Sequence, residues 1–117
     1  MLELMMVAIG GFFGAIFRFY ISQKLNTGPK KLPIGTLCVN VLGSFLLGIV
    51  TGIALNHWIY LLIATGFLGA FTTFSTFYVE LFQMRKRQKW MWIYLFSSYS
   101  FGILFAFFGF IISNQWL

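Results

Sequence analysis

Three long stretches of this chain carry no charged side chain, and each is long enough to cross a lipid bilayer. They are residues 34–55, 58–79 and 91–112, and each contains 22 residues. A hydrocarbon core about 30 Å thick requires roughly 20 consecutive apolar residues in a helix. Soluble domains are about 25% charged, whereas only 9% of these 117 residues are charged and the mean hydropathy is +0.89. The pattern excludes an ordinary soluble domain and predicts a membrane protein.

A fourth apolar stretch covers residues 4–23 and is interrupted by a single charge, Arg18. Secretory signal peptides begin with basic residues before the apolar run. Here the run is preceded by Glu3 and by no Lys or Arg. We therefore interpret this stretch as a retained helix.

Short polar segments separate the four stretches. Residues 24–33 contain both prolines of the chain, Asn56 and His57 form a brief hairpin, and residues 85–89 are almost entirely basic. Such residues end helices. The sequence therefore predicts an all-α membrane protein with one domain, 1–117, whose spans cover approximately residues 4–23, 34–55, 58–82 and 91–112.

The basic residues predict the orientation of the chain in the membrane. With four spans, the first and third loops lie on one side, and together they contain seven of the eight Lys and Arg residues: Lys24, Lys30, Lys31, Arg85, Lys86, Arg87 and Lys89. Cytoplasmic loops carry such an excess, so we expect both loops in the cytoplasm and both termini outside. The net charge of +6 then indicates contact with lipid headgroups rather than nucleic acid.

Polar side chains inside the spans suggest what the protein handles, because polar groups in hydrocarbon need partners or water. Asn40 and Ser44 share one face of the second span, and Tyr94 and Ser98 share one face of the fourth. Nearly all the polar groups are hydrogen-bond donors, which suits an anion better than a cation. A single Ser or Thr in a membrane helix usually bonds to its own main chain, and Arg18 can extend to the interface, so each residue alone also fits a structural role.

The composition gives little support for an enzyme or for a metal site built from side chains. The chain has one His, one Cys and two acidic residues, which are too few for a metal cluster or a catalytic triad. We therefore do not expect an enzyme.

The pair Gly10 and Gly14 is typical of close helix packing.

Residues 66–77 form the most unusual segment. Two glycines three residues apart are followed by four hydroxyl residues within five positions. This composition predicts a weak, broken helix at mid-membrane depth, and such breaks form ion sites in transporters. Phe71, Phe74 and Phe77 recur every three residues, which predicts one aromatic stripe. The edges of phenylalanine rings are electropositive and can contact a small anion.

Taken together, residues 10–19, 35–45 and 66–77, with Tyr94 and Ser98, resemble the motifs of the Fluc, or CrcB, family of small fluoride channels. The resemblance covers nearly the whole chain. It implies an antiparallel dimer with two fluoride pores and a structural sodium ion at its centre.

The resemblance also implies roles for individual residues. Asn40 is expected to donate to fluoride, and the ring edges of Phe74 and Phe77 to contact it. The implied polar track continues through Thr73, Tyr94 and Ser98, with Ser44 and Glu80 as further members of undefined role. Arg18 is expected to make the aqueous vestibule electropositive. The main-chain carbonyls of Gly69 and Thr72, from both subunits, are expected to hold the sodium ion.

We expect passive export of fluoride across the inner (plasma) membrane. A homodimer whose subunits insert in opposite directions needs nearly balanced loop charges, and seven against zero is unbalanced, so we also hypothesise a heterodimer with an oppositely oriented homologue. Two alternatives remain open. One is a small multidrug exporter, which requires an acid in the first helix where this chain has Arg18. The other is a non-conducting partner subunit.

Overall fold

The computed structural model describes residues 1–25 and 33–116. All regular structure in these residues is helical. The helices are α1 (Leu2–Leu25), α2 (Ile34–Gly52), α3 (His57–Tyr60), a π-helical segment (Leu61–Leu68), α4 (Gly69–Phe71), α5 (Ser75–Gln83) and α6 (Gln88–Trp116). Helices α1, α2 and α6, and the composite stretch His57–Gln83, are long and apolar enough to cross a membrane. We call that composite stretch the third span. The prediction of an all-helical protein with four spans is confirmed.

Glycines bring α1 against the third span, and the two run in the same direction. A Cβ atom on Gly10 would overlap the carbonyl oxygen of Leu62, and one on Gly14 would overlap that of Phe67. Packing this close needs residues without a side chain. The interpretation of these two glycines as packing residues is confirmed.

Helices α2 and α6 pair in the same way. A Cβ atom on Gly48 would overlap the carbonyl oxygen of Ala106, and one on Gly109 would overlap that of Phe45. Hydrogen bonds join Thr36 of α2 to Glu80 and Asn40 to Thr73, so later residues of α2 meet earlier residues of the third span. The two parallel pairs therefore run antiparallel to each other.

Several helix ends differ from those predicted. Helix α2 ends at Gly52, and Ile53 is extended with φ −110° and ψ 151°, so the second span is shorter than 34–55. The side chain of Asn56 accepts a 2.9 Å hydrogen bond from Ile59 N–H, which caps α3 and makes His57 a helical residue rather than part of a turn. Helix α6 exceeds its predicted span at both ends. Most of the predicted first loop, including Lys30 and Lys31, lies outside the described residues.

Residues 72–74 separate α4 from α5, and we call them the interruption. Thr72 is extended, with φ −79° and ψ 156°, whereas Phe74 returns to helical angles. The segment before it is π-helical, a geometry that often occurs at functional sites. Because of the interruption, the side chains of α5 point in directions that differ from those in an unbroken helix.

Candidate functional site

A groove of about 460 Å³ lies between α2, the third span and α6. It brings together eight residues that the sequence predicted as site residues: Asn40, Ser44, Gly69, Thr72, Thr73, Phe74, Phe77 and Ser98. The rest of its lining is mostly small or aliphatic. The predicted residues therefore converge on one concave surface.

Ser98 provides an available hydrogen-bond donor in this groove. Its hydroxyl oxygen is buried and, among the described residues, has no hydrogen-bond partner. Buried polar groups nearly always have partners. Ser44 lies on the facing helix, where its oxygen would be 3.6 Å from a Cβ atom on Gly102. The α2–α6 seam thus presents hydroxyl groups to the groove.

Asn40 pairs with the main chain of the interruption. Its Nδ2 donates to the carbonyl of Thr73 at 2.9 Å, and its Oδ1 accepts from Thr73 N–H at 2.8 Å. The hydroxyl oxygen of Thr73 in turn accepts a 3.2 Å hydrogen bond from Thr76 N–H in the first turn of α5. One of the two amide hydrogens of Asn40 therefore remains for another acceptor.

The three phenylalanines of the predicted stripe have different surroundings. Phe71 is buried and stacks on Phe67 with ring centroids 5.7 Å apart, whereas Phe74 is 68% exposed. Phe77 is 5% exposed and packs on Tyr94 at 5.0 Å. The expectation of one continuous stripe is wrong, because the interruption breaks the helical register between positions 71 and 74. Phe74 and Phe77 remain neighbours, with centroids 6.3 Å apart.

Glu80 and Tyr94 belong to a polar cluster beyond the groove. The carboxylate of Glu80 accepts hydrogen bonds from Tyr94 Oη at 3.0 Å and from Thr36 Oγ1 at 3.1 Å. Thr36 and Tyr94 are fully buried. The sequence analysis did not select Thr36, although its position four residues before Asn40 puts both on one face of α2.

Arg18 lies on the α1 side of the interruption. Its Nη1 donates to the carbonyl of Ala70 at 3.0 Å. Ala70 is in α4, whose last carbonyls lack the donors that a continued helix would supply. Arg18 therefore contacts the third span just before the interruption.

The main chain at Gly69 and Thr72 has oxygen atoms suited to a hard cation. In a continuous helix the carbonyl of Gly69 would accept from Thr73 N–H, but that N–H donates to Asn40. The extended backbone of Thr72 turns its carbonyl away from the helix axis. The hydroxyl of Thr72 donates to Leu68 C=O at 3.1 Å, the local bond expected for a membrane threonine. Carbonyl oxygens are suitable ligands for hard cations, so both residues fit a sodium site.

Comparison with known proteins gives the family of this chain. The family model described as CrcB-like protein, Camphor Resistance (CrcB) matches residues 5–110. A Bacillus cereus protein named "Fluoride-specific ion channel FluC 2" is 48% identical over 112 residues, which are 93% of this chain and 95% of that protein. "Fluoride-specific ion channel FluC 1" of Geobacillus kaustophilus is 45% identical, with 89% and 91% coverage. "Fluoride-specific ion channel FluC" of Thermosipho melanesiensis is 40% identical, with 97% coverage of both chains. This chain is a multi-pass membrane protein that belongs to the CrcB family.

Proposed function

We propose that this chain forms a channel through which fluoride leaves the cell passively. The observation that carries the proposal is the unpartnered, buried hydroxyl of Ser98 in a groove that it shares with Asn40, Phe74 and Phe77. The names of the relatives, fluoride-specific ion channels, support the same conclusion.

The groove offers what a small, strongly hydrated anion needs. A selective filter replaces the hydration shell with fixed groups, and conduction requires several moderate sites. Ser98 offers a hydroxyl proton, Asn40 offers its second amide hydrogen, and Phe74 and Phe77 offer electropositive ring edges. None of these four side chains carries a charge that would hold the anion too tightly.

Assembly with an antiparallel second copy or homologue is part of the proposal. The groove is open, and Phe74 on its rim is 68% exposed, so a second subunit would complete the ion pathway. In this dimer the interruption would lie at mid-membrane depth, where the carbonyls of Gly69 and Thr72 from both subunits would hold a sodium ion. A sodium ion bound there would supply a fixed positive charge between the two chains. Arg18, bonded beside the interruption, contributes positive potential to the vestibule.

Orientation follows from the distribution of charge. Because α1 and the third span run in the same direction, Lys24 lies at the same end of the molecule as the 85–89 segment. We propose that this end faces the cytoplasm of the inner membrane. A partner with the opposite charge bias then supplies the second orientation, and the numbering of relatives as FluC 1 and FluC 2 is consistent with paired subunits.

A multidrug exporter fits the chain less well. Such a protein needs an acid in its first helix to bind cationic drugs, and α1 has Arg18 in its C-terminal third and only Glu3, in its first turn, as an acid. A non-conducting subunit accounts for the glycine contacts but gives no reason for an unpartnered hydroxyl in the groove.

Fluoride efflux from liposomes tests the proposal. Vesicles containing the purified chain, with and without an oppositely charged homologue, are loaded with fluoride and followed with a fluoride electrode, with chloride efflux as the control. With the homologue present we expect rapid fluoride release and little chloride release, and we expect Ser98→Ala to slow the fluoride release. Ser100→Ala, exposed two positions away on the same helix, is the matched control. Fluoride retention equal to that of empty vesicles under both conditions would overturn the proposal.

A further inference from the structure

Asn40 has both ends of its amide committed to the main chain of the third span. The carbonyl end accepts from Thr73 N–H at 2.8 Å, and the amino end donates to Thr73 C=O at 2.9 Å. This reciprocal pairing is the one that a neighbouring β-strand would make. It fixes the side chain of Asn40 and the peptide groups on both sides of Thr73 at once.

The interruption depends on such a partner. In a continuous helix Thr73 would donate to Gly69 C=O and accept from Phe77 N–H. Thr73 is 8% exposed, so water has little access to its main chain, and buried main-chain groups require partners. Asn40 supplies the donor and the acceptor that Thr73 needs where the helix is lost.

Thr73 is connected directly to the aromatic residues of the groove. Phe74 is the next residue, so its Cα position follows from the main chain of Thr73. The bond from Thr76 N–H to the hydroxyl of Thr73 ties the same residue to the first turn of α5, which carries Phe77. One turn after Asn40, a Cβ atom on Gly43 would overlap the methyl group of Thr72, so α2 also packs tightly on the interruption.

We propose that Asn40 is a positioning residue, which holds the main chain at Thr73 and thereby places the rings of Phe74 and Phe77 at the groove. The inference rests on the proposed fluoride conduction and assigns to Asn40 a role beyond donation to the ion. Loss of the pairing moves the rings even when every side chain that faces the ion is still present.

Amide-to-ester substitution in the full chain separates the two roles of Asn40. Replacing Thr73 by its α-hydroxy acid removes the N–H that donates to Asn40 and also weakens the carbonyl of Thr72, but leaves every side chain unchanged. Replacing Phe74 in the same way weakens the carbonyl of Thr73, which accepts from Asn40, and leaves the carbonyl of Thr72 as it is. The matched control is the ester at Tyr60, which removes the bond from Tyr60 N–H to Asn56 C=O at 2.9 Å in the same span.

Elution volume and melting temperature first establish that each variant is assembled. Fluoride flux is then measured for the three esters, for Asn40→Ala, and for Asn40→Ala combined with the Thr73 ester. We expect the esters at 73 and 74 each to lower flux about tenfold or more, since each disrupts a buried hydrogen bond. Asn40→Ala should then lower the flux of the Thr73 ester by a clearly smaller factor than it lowers the flux of the unmodified chain, because coupled groups are not additive. The Tyr60 ester should conduct like the unmodified chain.

A direct role alone predicts a different result. The esters at 73 and 74 could both conduct within about twofold of the unmodified chain while Asn40→Ala removes flux. In that case the loss of flux in Asn40→Ala does not come from the broken pairing with Thr73, and the positioning role is wrong.

A structural measurement separates this failure from failure of the proposed function. With 4-fluorophenylalanine at position 74, the ¹⁹F resonance should shift in the same direction in the Thr73 ester and in Asn40→Ala, in buffer without fluoride. An unchanged resonance in both variants overturns the positioning role. That outcome does not depend on whether the unmodified chain conducts fluoride.

Discussion

The phenol of Tyr94 in α6 donates a 3.0 Å hydrogen bond to the carboxylate of Glu80 in α5. Thr36 of α2 donates to the second carboxylate oxygen at 3.1 Å. The only acid of the chain outside its first turn is thus shared by three helices. Its two oxygens accept from neutral donors, and one of these donors, Tyr94, also packs on the ring of Phe77.

Removing the phenol of Tyr94 should weaken the contact between α5 and α6. We expect Tyr94→Phe to lower the free energy of unfolding by about 1–3 kcal/mol, since a half-buried carboxylate loses one of its two donors. Thermal melting in detergent measures this change. Tyr99→Phe, at a residue that is 52% exposed, is the control, and equal melting temperatures for the two variants would contradict the prediction.

Phe74 tests the contribution of aromatic edges to conduction. We expect Phe74→Ile to lower fluoride flux by about fivefold, because aromatic edge interactions contribute about 1 kcal/mol each, with little change in melting temperature. Phe77→Ile should reduce flux and also stability, because Phe77 is buried against Tyr94. The efflux assay measures flux.

The control for Phe74 is Phe96→Ile, since Phe96 is similarly exposed at 62% but does not line the groove. If Phe74→Ile and Phe96→Ile conduct alike, the ring of Phe74 has no part in the ion pathway.

Two neighbouring glycines of α1 should respond differently to alanine. A Cβ atom on Gly14 would overlap the carbonyl of Phe67, whereas one on Gly11 meets its nearest atoms at 3.7 and 3.8 Å. We expect Gly14→Ala to cost about 1–3 kcal/mol through overpacking. Gly11→Ala should be neutral or slightly stabilising, because alanine favours the helix. Melting temperatures of both variants provide the measurement, and a Gly14→Ala variant as stable as the unmodified chain would contradict the α1 packing.

Arg18 should contribute through its bond to Ala70 as well as through its charge. We expect Arg18→Gln to lower the free energy of unfolding by about 1.5–3 kcal/mol, as for hydrogen bonds from charged groups. Lys24→Gln also removes one positive charge, but from the exposed end of α1, and should leave stability nearly unchanged. Chemical denaturation compares the two. Equal effects would mean that Arg18 acts through its net charge alone.

The distribution of loop charges predicts how the chain behaves without a partner. Because the basic residues lie at one end, the chain should insert in one orientation, and vesicles containing it alone should release fluoride slowly. Adding a homologue with the opposite bias should restore release. Robust flux from an antiparallel dimer of this chain alone would rule out the heterodimer.

The sequence by itself determined the class of the protein and its four spans. Uncharged stretches such as 91–112 match the thickness of the hydrocarbon core, and this requirement depends on length and polarity rather than on neighbouring helices. The motifs at residues 10–19, 35–45 and 66–77 indicated the family, which the comparisons confirmed. The donor-rich faces of α2 and α6 were also evident, because helical periodicity alone puts residues four apart on one side.

Only the tertiary structure decided which groups these donors meet. The sequence could not pair Asn40 with Thr73 or Thr36 with Glu80, because such bonds depend on how closely α2 approaches the third span. Nor could it show that Phe71 and Phe74 have different surroundings. The three-residue spacing of the phenylalanines continues through residues 72–74, whereas the helix is interrupted there. The physical reason is that periodicity describes one helix at a time, whereas a site between helices depends on the packing at their glycine contacts.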